Sequence, residues 1–253
     1  MALKLKKTKK KVEKEAKLPV IMAVDASMNG TAIWICDAHF KPIDWFLFTT
    51  KKFIADSSPG HTHRVQQKGF ERRLKARAEF NRLVFKHRPD YIVFEQYALG
   101  RRNSSGRVFD MAEFTGDLKL AAYEYCKASS AKIRLIVNSS IKMWATGNGS
   151  ADKEWMIEAA KGKSQTAGLS LIFFKAYYLS LPSVVQDVDD IADAYCIANM
   201  FIHELKLRDG ALTEQEFLDM CKVERCSLHA AAFFPKKSKK KPRTKPHEMP
   251  WPI

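Results

Sequence analysis

Apolar positions fall into short runs in the first third of the chain and into longer periodic stretches after it. Residues 20–24 form one continuous apolar run, and residues 31–36 and 42–48 are two further segments of strand character. Asn29-Gly30, between the first two, is a two-residue hairpin signal because both residues tolerate positive φ. Pro59-Gly60 marks a loop, and a helical pattern follows from Arg64 to Arg88. At about 100° per residue, Phe70, Leu74, Ala78, Val84 and Phe85 share one face of that helix. Residues 91–94 read as a fourth strand, opened by the turn Arg88-Pro89-Asp90, and residues 133–137 as a fifth. Helices are predicted over 108–127, over 152–160, up to Pro182, over 188–207 and over 211–229, with a loop at Gly147 to Gly149. Three strands joined by hairpins, followed by alternating helix and strand, predict an α/β fold: a mixed five-stranded sheet with helices on both faces.

Composition narrows the class. With 253 residues, 46% hydrophobic and 11% aromatic, the chain can bury a sizeable core, which excludes global disorder. The most apolar stretch, residues 169–178, is interrupted by Lys175 and falls short of the ~20 residues that span a bilayer. No secretory pattern opens the sequence, and the five cysteines are scattered without a CxxC pair. A protein of a reducing, cytoplasmic compartment is expected, in a bacterial cell or an infected host cell, with no membrane association and no small-molecule cofactor.

The formal charge of +15 is concentrated at the ends. Residues 1–17 and 235–253 each carry a net +6, which leaves +3 for the other 217 residues. Four segments follow: a disordered basic tail over 1–17, a main domain over 18–207, a helical extension over 208–234 and a second basic tail over 235–253. Lysine tails bind polyanions by releasing condensed counterions, so nucleic acid is the indicated partner. Solubilising tails and an anionic membrane surface are the alternatives. Arg64, Lys68, Lys75, Arg82 and Lys86 add a stripe about 40° wide on the helix wheel, suited to a phosphate backbone or to solvent.

The chemistry lies in acids. Asp25 ends the first strand and Glu95 the fourth, where open α/β sheets place their ligands. Asp190 and Asp193 are spaced i, i+3 on the face of the last long helix that also carries Ala194, Ile197 and Phe201. Capping accounts for Asp187 and Asp189, and in part for Asp190, but not for Asp193 a turn further in. A carboxylate on a core-facing stripe needs a proton, a cation or a metal. Four converging carboxylates form an all-oxygen donor set suited to Mg²⁺ or Mn²⁺. Two such ions about 3.5–4 Å apart would support phosphodiester hydrolysis.

These segments resemble the RuvC family of Holliday junction resolvases. Ile21-Met22-Ala23-Val24-Asp25-Ala26-Ser27 with Thr31 is similar to the family's first strand, and Val93-Phe94-Glu95-Gln96 to its second acidic strand end. Thr146-Gly147-Asn148-Gly149-Ser150-Ala151-Asp152-Lys153 resembles its glycine loop, with Lys142 at the upstream lysine, and Asp190-Ile191-Ala192-Asp193-Ala194 its final acid pair. The resemblance covers most of residues 20–206 and implies a ribonuclease H-like fold. It also implies a homodimer and paired nicks across a four-way (branched) DNA junction. Asp25, Glu95, Asp190 and Asp193 would be catalytic and hold two Mg²⁺ ions, with Mn²⁺ as a substitute. Lys142 and Lys153 would contact DNA phosphates, and the helix with Phe114, Gly116, Leu118 and Ala121 would form the dimer contact. Two positions depart from the bacterial pattern: Ala26-Ser27 replaces a proline-glycine pair, and Ala98 replaces an aromatic, with Tyr97 beside it. Such variation resembles viral and bacteriophage members.

Other features carry less. Arg101, Arg102 and Arg107 form an acid-free segment expected near DNA. Gly147-x-Gly149 is not a phosphate-binding Walker loop, but its backbone N–H groups could meet a DNA phosphate. Cys221, Cys226 and His229 with His203 match no standard zinc spacing, and Phe173, Phe174, Tyr177 and Tyr178 read as core. Rival readings are another ribonuclease H-like nuclease, acting on flaps, on RNA–DNA hybrids or in DNA packaging, and a non-catalytic DNA-binding protein on the same scaffold.

Overall fold

The structure is a computed structural model and describes residues 17–65, 69–96, 107–163 and 169–220. The chain runs β1 (Val20–Asp25), β2 (Gly30–Asp37), β3 (Pro42–Thr49), α1 (Lys52–Ala55), β4 (Thr62–Arg64), α2 (Phe70–His87), β5 (Tyr91–Gln96) and α3 (Arg107–Ala128). It continues through β6 (Lys132–Val137), α4 (Asn138–Thr146), α5 (Lys153–Ala160), α6 (Leu169–Leu179), α7 (Ser183–Gln186), α8 (Asp189–Arg208) and α9 (Glu214–Met220). One sheet has the order β4-β3-β2-β1-β5-β6. The β1–β2–β3 meander is antiparallel, while β5 runs parallel to β1 and β6 parallel to β5. An antiparallel meander continued by parallel crossover strands is the mixed α/β sheet that the sequence predicts, with helices on both faces.

Strand alternation builds two core layers. Ile21, Ala23, Trp34, Leu47, Val93 and Ile136 face one side, where they meet α4, α5, α6 and α8. Met22, Val24, Ile33, Ile35, Phe46 and Phe94 face the other, against α2 and α3. The central β1 is buried along its whole length, as expected for a strand covered on both faces. Phe217 of α9 joins the first layer beside Trp144. Among the described residues no helix is long and apolar enough to cross a membrane.

Among the described residues the sheet has six strands, not five. β4 contains no apolar residue and forms through backbone pairing along β3, with His61 and His63 stacked on Trp45 and Phe48. The β1–β2 hairpin forms as predicted, but not through a two-residue Asn29-Gly30 turn, since neither residue adopts positive φ. A wider loop joins β1 to β2, closed by Thr31 Oγ1 donating to Ser27 O at 2.7 Å. The roll of α2 differs as well: Arg72, Ala76, Phe80, Leu83 and Val84 point inward, while Phe70 (65% exposed), Leu74 and Phe85 point out. Polar partners set this roll. Arg72 donates to Met28 O, and Arg73 and Arg77 pair with Asp117, Glu113 and Glu124 of α3. Part of the basic stripe is likewise paired within the chain, Arg82 with Glu79 and Lys86 with Asp44. The short helices α1, α4 and α7 lie outside the elements that the sequence predicts.

Candidate active site

Register brings the first two acids together. Val24 pairs with Phe94 across the parallel β1–β5 ladder, so Asp25 and Glu95 follow side by side at the same end of the sheet. The first turns of α8 pack over this end and supply Asp190 and Asp193. The contact is close at Gly30, where an added Cβ would lie 1.9 Å from Asp190 Oδ2. A side chain at the start of β2 would therefore have to displace the Asp190 carboxylate, so the glycine there answers to the acid packed on it and not to a turn. Gly30→Ala is predicted to displace Asp190 and lower cleavage by about 100-fold, the scale of a 1 Å misplacement. A single-turnover assay beside circular dichroism measures this; unchanged cleavage would separate Asp190 from the reaction.

Burial raises all four acids, and repulsion from neighbouring carboxylates adds to it at Asp25, Asp190 and Asp193. Asp25 lies well above the ordinary carboxylate range because it is desolvated and faces Glu95, Asp193, Asp190 and Asp189. Asp190 is pushed up to about 7 by burial and Asp189, against the lysines Lys153 and Lys51. Asp193 is pushed up to about 8 by burial, Glu95, Asp189 and Asp190, with Lys142 opposing. Glu95 is raised by burial, offset by the Asn138 amide that donates to Glu95 Oε1 and by Lys142 and Lys119. The four acids from three elements thus share one electrostatic environment, as their positions in the sequence predict. Their oxygens are not drawn into a coordination shell: among the described residues no three His, Cys, Asp or Glu side chains meet closely enough to hold a metal. Asn138 Nδ2 donates to Glu95 Oε1, and the Glu95 carboxyl is hydrogen-bonded to that of Asp25. The donor set is nevertheless all oxygen, anionic and short of counter-charge, which fits a hard divalent ion.

A pocket of about 390 Å³ opens on the acids, lined by Asp25, Ser27, Glu95, Met111, Thr115, Asn138 and Ser139. Thr115 is buried, and its Oγ1 has no hydrogen-bond partner among the described residues. Lys142 Nζ donates to Ala151 O at 2.6 Å, which ties α4 to the glycine loop and keeps a cation near Glu95 and Asp193. Lys153 pairs with Asp189 and is mostly exposed. Asp187 pairs with Lys161. Val188, not an aspartate, is the N-cap of α8. Lys119 and Lys51 escape the sequence reading: Lys119 stands four residues after Thr115 on the pocket-facing side of α3, and Lys51 follows β3 at the same sheet end. Their signal is a lysine spaced i, i+4, i+8 with Met111 and Thr115, and a lysine just after a strand that ends beside β2.

Other sequence expectations divide. Arg101, Arg102, Tyr97, Ala98, Cys221, Cys226 and His229, and both basic tails, lie outside the described residues. Arg107 opens α3. His203 is packed between Phe40 and Trp144, its Nδ1 2.8 Å from Asn199 O, as a core histidine. Tyr178 is buried and Phe174 stacks on Phe40, which places these aromatics in the core. The residues assigned to a dimer contact divide: Phe114, Leu118 and Ala121 are buried against the sheet, while Gly116 alone of the four faces outward. These three residues, spaced i, i+4 and i+7, are this helix's own core stripe.

Sheet order, helix placement and the acids at one sheet end define a mixed α/β protein with a candidate carboxylate centre. Among solved structures it is similar to Thermus thermophilus RuvC in complex with a Holliday junction substrate, at 17% identity and a TM-score of 0.46, covering 76% of this chain and 96% of that one. It is similar to Thermus thermophilus RuvC alone at 19% identity and a TM-score of 0.44, with the same coverage. The yeast mitochondrial Holliday junction resolvase Ydc2 matches at 13% identity and a TM-score of 0.44, covering 83% of each chain. No family model and no curated protein matches.

Proposed function

We propose that this chain is a metal-dependent endonuclease that resolves four-way DNA junctions by paired phosphodiester hydrolysis. One observation carries the proposal: four carboxylates from β1, β5 and α8 are gathered at one sheet end, where burial raises all of them and Asn138 and Lys142 offset this only in part. Asp25, Glu95, Asp190 and Asp193 would hold two Mg²⁺ ions, or Mn²⁺. Such ions supply a water nucleophile at neutral pH and stabilise the leaving oxygen. Asn138 keeps Glu95 oriented, and Lys142 holds positive charge beside Glu95 and Asp193. Lys142 and Lys153 are the proposed phosphate contacts, with Arg101, Arg102 and Arg107 following the strand end at Glu95 along the chain.

Junction resolution needs two nicks related by a two-fold axis, which a homodimer supplies. An outward apolar face favours such a pairing. Phe70, Leu74 and Phe85 of α2 and Phe109, Leu120 and Tyr123 of α3 are all exposed, and α2 and α3 are bound side by side through the Arg73 and Arg77 ion pairs. Gly116 is exposed on the same side of α3 as Phe109, Leu120 and Tyr123, and a Cβ added there would meet nothing within 4 Å. Gly116→Arg is therefore predicted to give a folded monomer with its acids intact that no longer makes coordinated paired nicks. Light scattering reports the mass, and a supercoiled cruciform plasmid separates single from paired nicks. A wild-type protein that stays monomeric on the junction would contradict the pairing.

The direct test of function compares a synthetic four-way junction with linear duplex, flap and RNA–DNA hybrid in Mg²⁺, with the nicks mapped. Symmetric nicks on the junction alone are expected. Equal cleavage of flap or hybrid would make the protein a different nuclease of this fold, and binding without cleavage would make it a DNA-binding protein.

A further inference from the structure

Past the helix that carries Asp190 and Asp193 the chain turns back and packs α9 onto the first core layer. Gly210, at φ 74°, makes the turn, and Leu212 N donates to Lys206 O at 3.1 Å. Thr213 and Glu216 then form a capping box: Thr213 N donates to Glu216 Oε2 at 2.8 Å and Glu216 N to Thr213 Oγ1 at 3.2 Å. A helix of seven residues is not stable alone in water, so α9 depends on this cap and on what it buries. Among its described side chains only Phe217 is buried, and its ring centroid lies 5.8 Å from that of Trp144 on α4. Trp144 is buried in turn. Its Nε1 donates to Asn199 Oδ1 of α8 at 3.0 Å, and its ring lies 5.0 Å from that of His203, also on α8. Trp144 thus joins α4 to α8, and Phe217 closes the joint.

Both helices at that joint serve the carboxylates. α8 supplies Asp190 and Asp193, while α4 supplies Asn138, which donates to Glu95 Oε1, and Lys142, whose Nζ donates to Ala151 O at 2.6 Å. At about 100° per residue, Asn138 and Lys142 share one face of α4, and Trp144 lies about 160° from Lys142 on the other. The N-terminus of α4 has no side-chain cap, so this short helix depends on the burial of Ile141, Trp144 and Ala145 for its seat. We propose that Phe217 is a positioning residue for the carboxylate centre: it fixes Trp144, and through it the seat of α4, so that α9 works as part of the catalytic unit. The role rests on the nuclease reading above. Phe217 acts through Trp144 and not on the acids themselves. A close-packed interior transmits a displacement, because a void is filled only by movement of its walls. Emptying the Phe217 site lets Trp144 shift into the space and draws α4, with Asn138 and Lys142, away from Glu95.

The test uses the full-length protein, a synthetic four-way junction and saturating Mg²⁺. Phe217→Ala is expected to bind the junction as the wild type does and to lower the single-turnover cleavage rate by on the order of 10- to 100-fold, the scale of a misplacement of about 1 Å. Phe217→Leu refills most of the space and should restore most of the rate. Leu83→Ala on α2 is the contrast, because it empties an equally buried site in the other core layer. That variant should melt at a lower temperature yet cleave at the wild-type rate. Hydrogen exchange gives a readout independent of cleavage. Amides of α4 should exchange faster in Phe217→Ala and, to a smaller extent, in Phe217→Leu, while those of α2 should not change. Where Phe217→Ala does not fold, the exchange of α4 in Phe217→Leu decides. A wild-type rate in Phe217→Ala, equal losses of rate in Phe217→Ala and Leu83→Ala, or unchanged exchange in α4 would overturn the positioning role and leave the nuclease standing. A wild type that cleaves no DNA at all would overturn both.

Discussion

Replacing Asp193 with asparagine is expected to lower metal-dependent cleavage by about a thousandfold while the metal-free protein melts at a higher temperature. Both effects have one cause. The Asp193 carboxyl is pushed up to about 8 because α8 buries it beside Glu95, Asp189 and Asp190, and Lys142 only partly compensates. Its charged form is therefore costly to the folded protein at pH 8 and useful only with a cation to share it. Asparagine keeps the shape and removes the charge. The metal-free melting temperature should rise by about 2–4 °C for each kcal/mol of strain relieved. Loss of a metal ligand removes several kcal/mol of charge stabilisation, and each ~1.4 kcal/mol is tenfold in rate. Asp189→Asn is the contrast: Asp189 is paired with the exposed Lys153, and losing such a pair should change cleavage by less than about fivefold. Single-turnover cleavage and thermal melts in EDTA measure both quantities. Full activity in Asp193→Asn would remove Asp193 from the centre.

Stability without metal should fall as pH rises from 6.5 to 8.5, and Mg²⁺ should abolish most of that fall. An acid whose folded pKa is raised binds more protons folded than unfolded between its ordinary value and its raised one. Its contribution is fully present below about pH 4 and is lost as pH climbs through the folded values, about 7 for Asp190 and about 8 for Asp193. Asp25 and Glu95 shift in the same direction and add to the slope. His203 acts oppositely but elsewhere: burial lowers it to about 4, so it stabilises above pH 6.5 and its contribution is lost as pH falls toward 4. The window from pH 6.5 to 8.5 therefore isolates the acids from His203. Cation binding requires the deprotonated ligands, so the melting-temperature gain from Mg²⁺ should be larger at pH 8.5 than at 6.5. Melts at the two pH values, each with EDTA and with Mg²⁺, measure this. A gain that is equal at both would detach cation binding from the four acids.

The acids were legible because each combines a type and a position that packing alone does not explain. Asp25 and Glu95 stand where buried runs end, and Asp193 interrupts the apolar stripe of α8 between Ile191 and Ala194. Strand alternation likewise exposed β1, β2, β3, β5 and β6. What stayed hidden depends on partners distant in sequence. The strand β4 has no hydrophobic pattern, because β3 supplies its ladder. The roll of α2 is set by Arg72, Arg73 and Arg77 finding acceptors on the β1–β2 loop and α3, so a wheel that scores arginine as outward inverts the helix. Gly30 reads as a turn residue until Asp190, 160 positions later, is packed on it. Lys119 and Lys51 are ordinary lysines until the sheet end is assembled around them.

Anomalous diffraction from crystals of the protein equilibrated with Mn²⁺ tests the central claim most directly. Two peaks about 3.5–4 Å apart, bounded by Asp25, Glu95, Asp190 and Asp193, are expected, as for paired ions in phosphodiester hydrolysis. Mn²⁺ bound away from these side chains, or no peak at a concentration that supports cleavage, would contradict it.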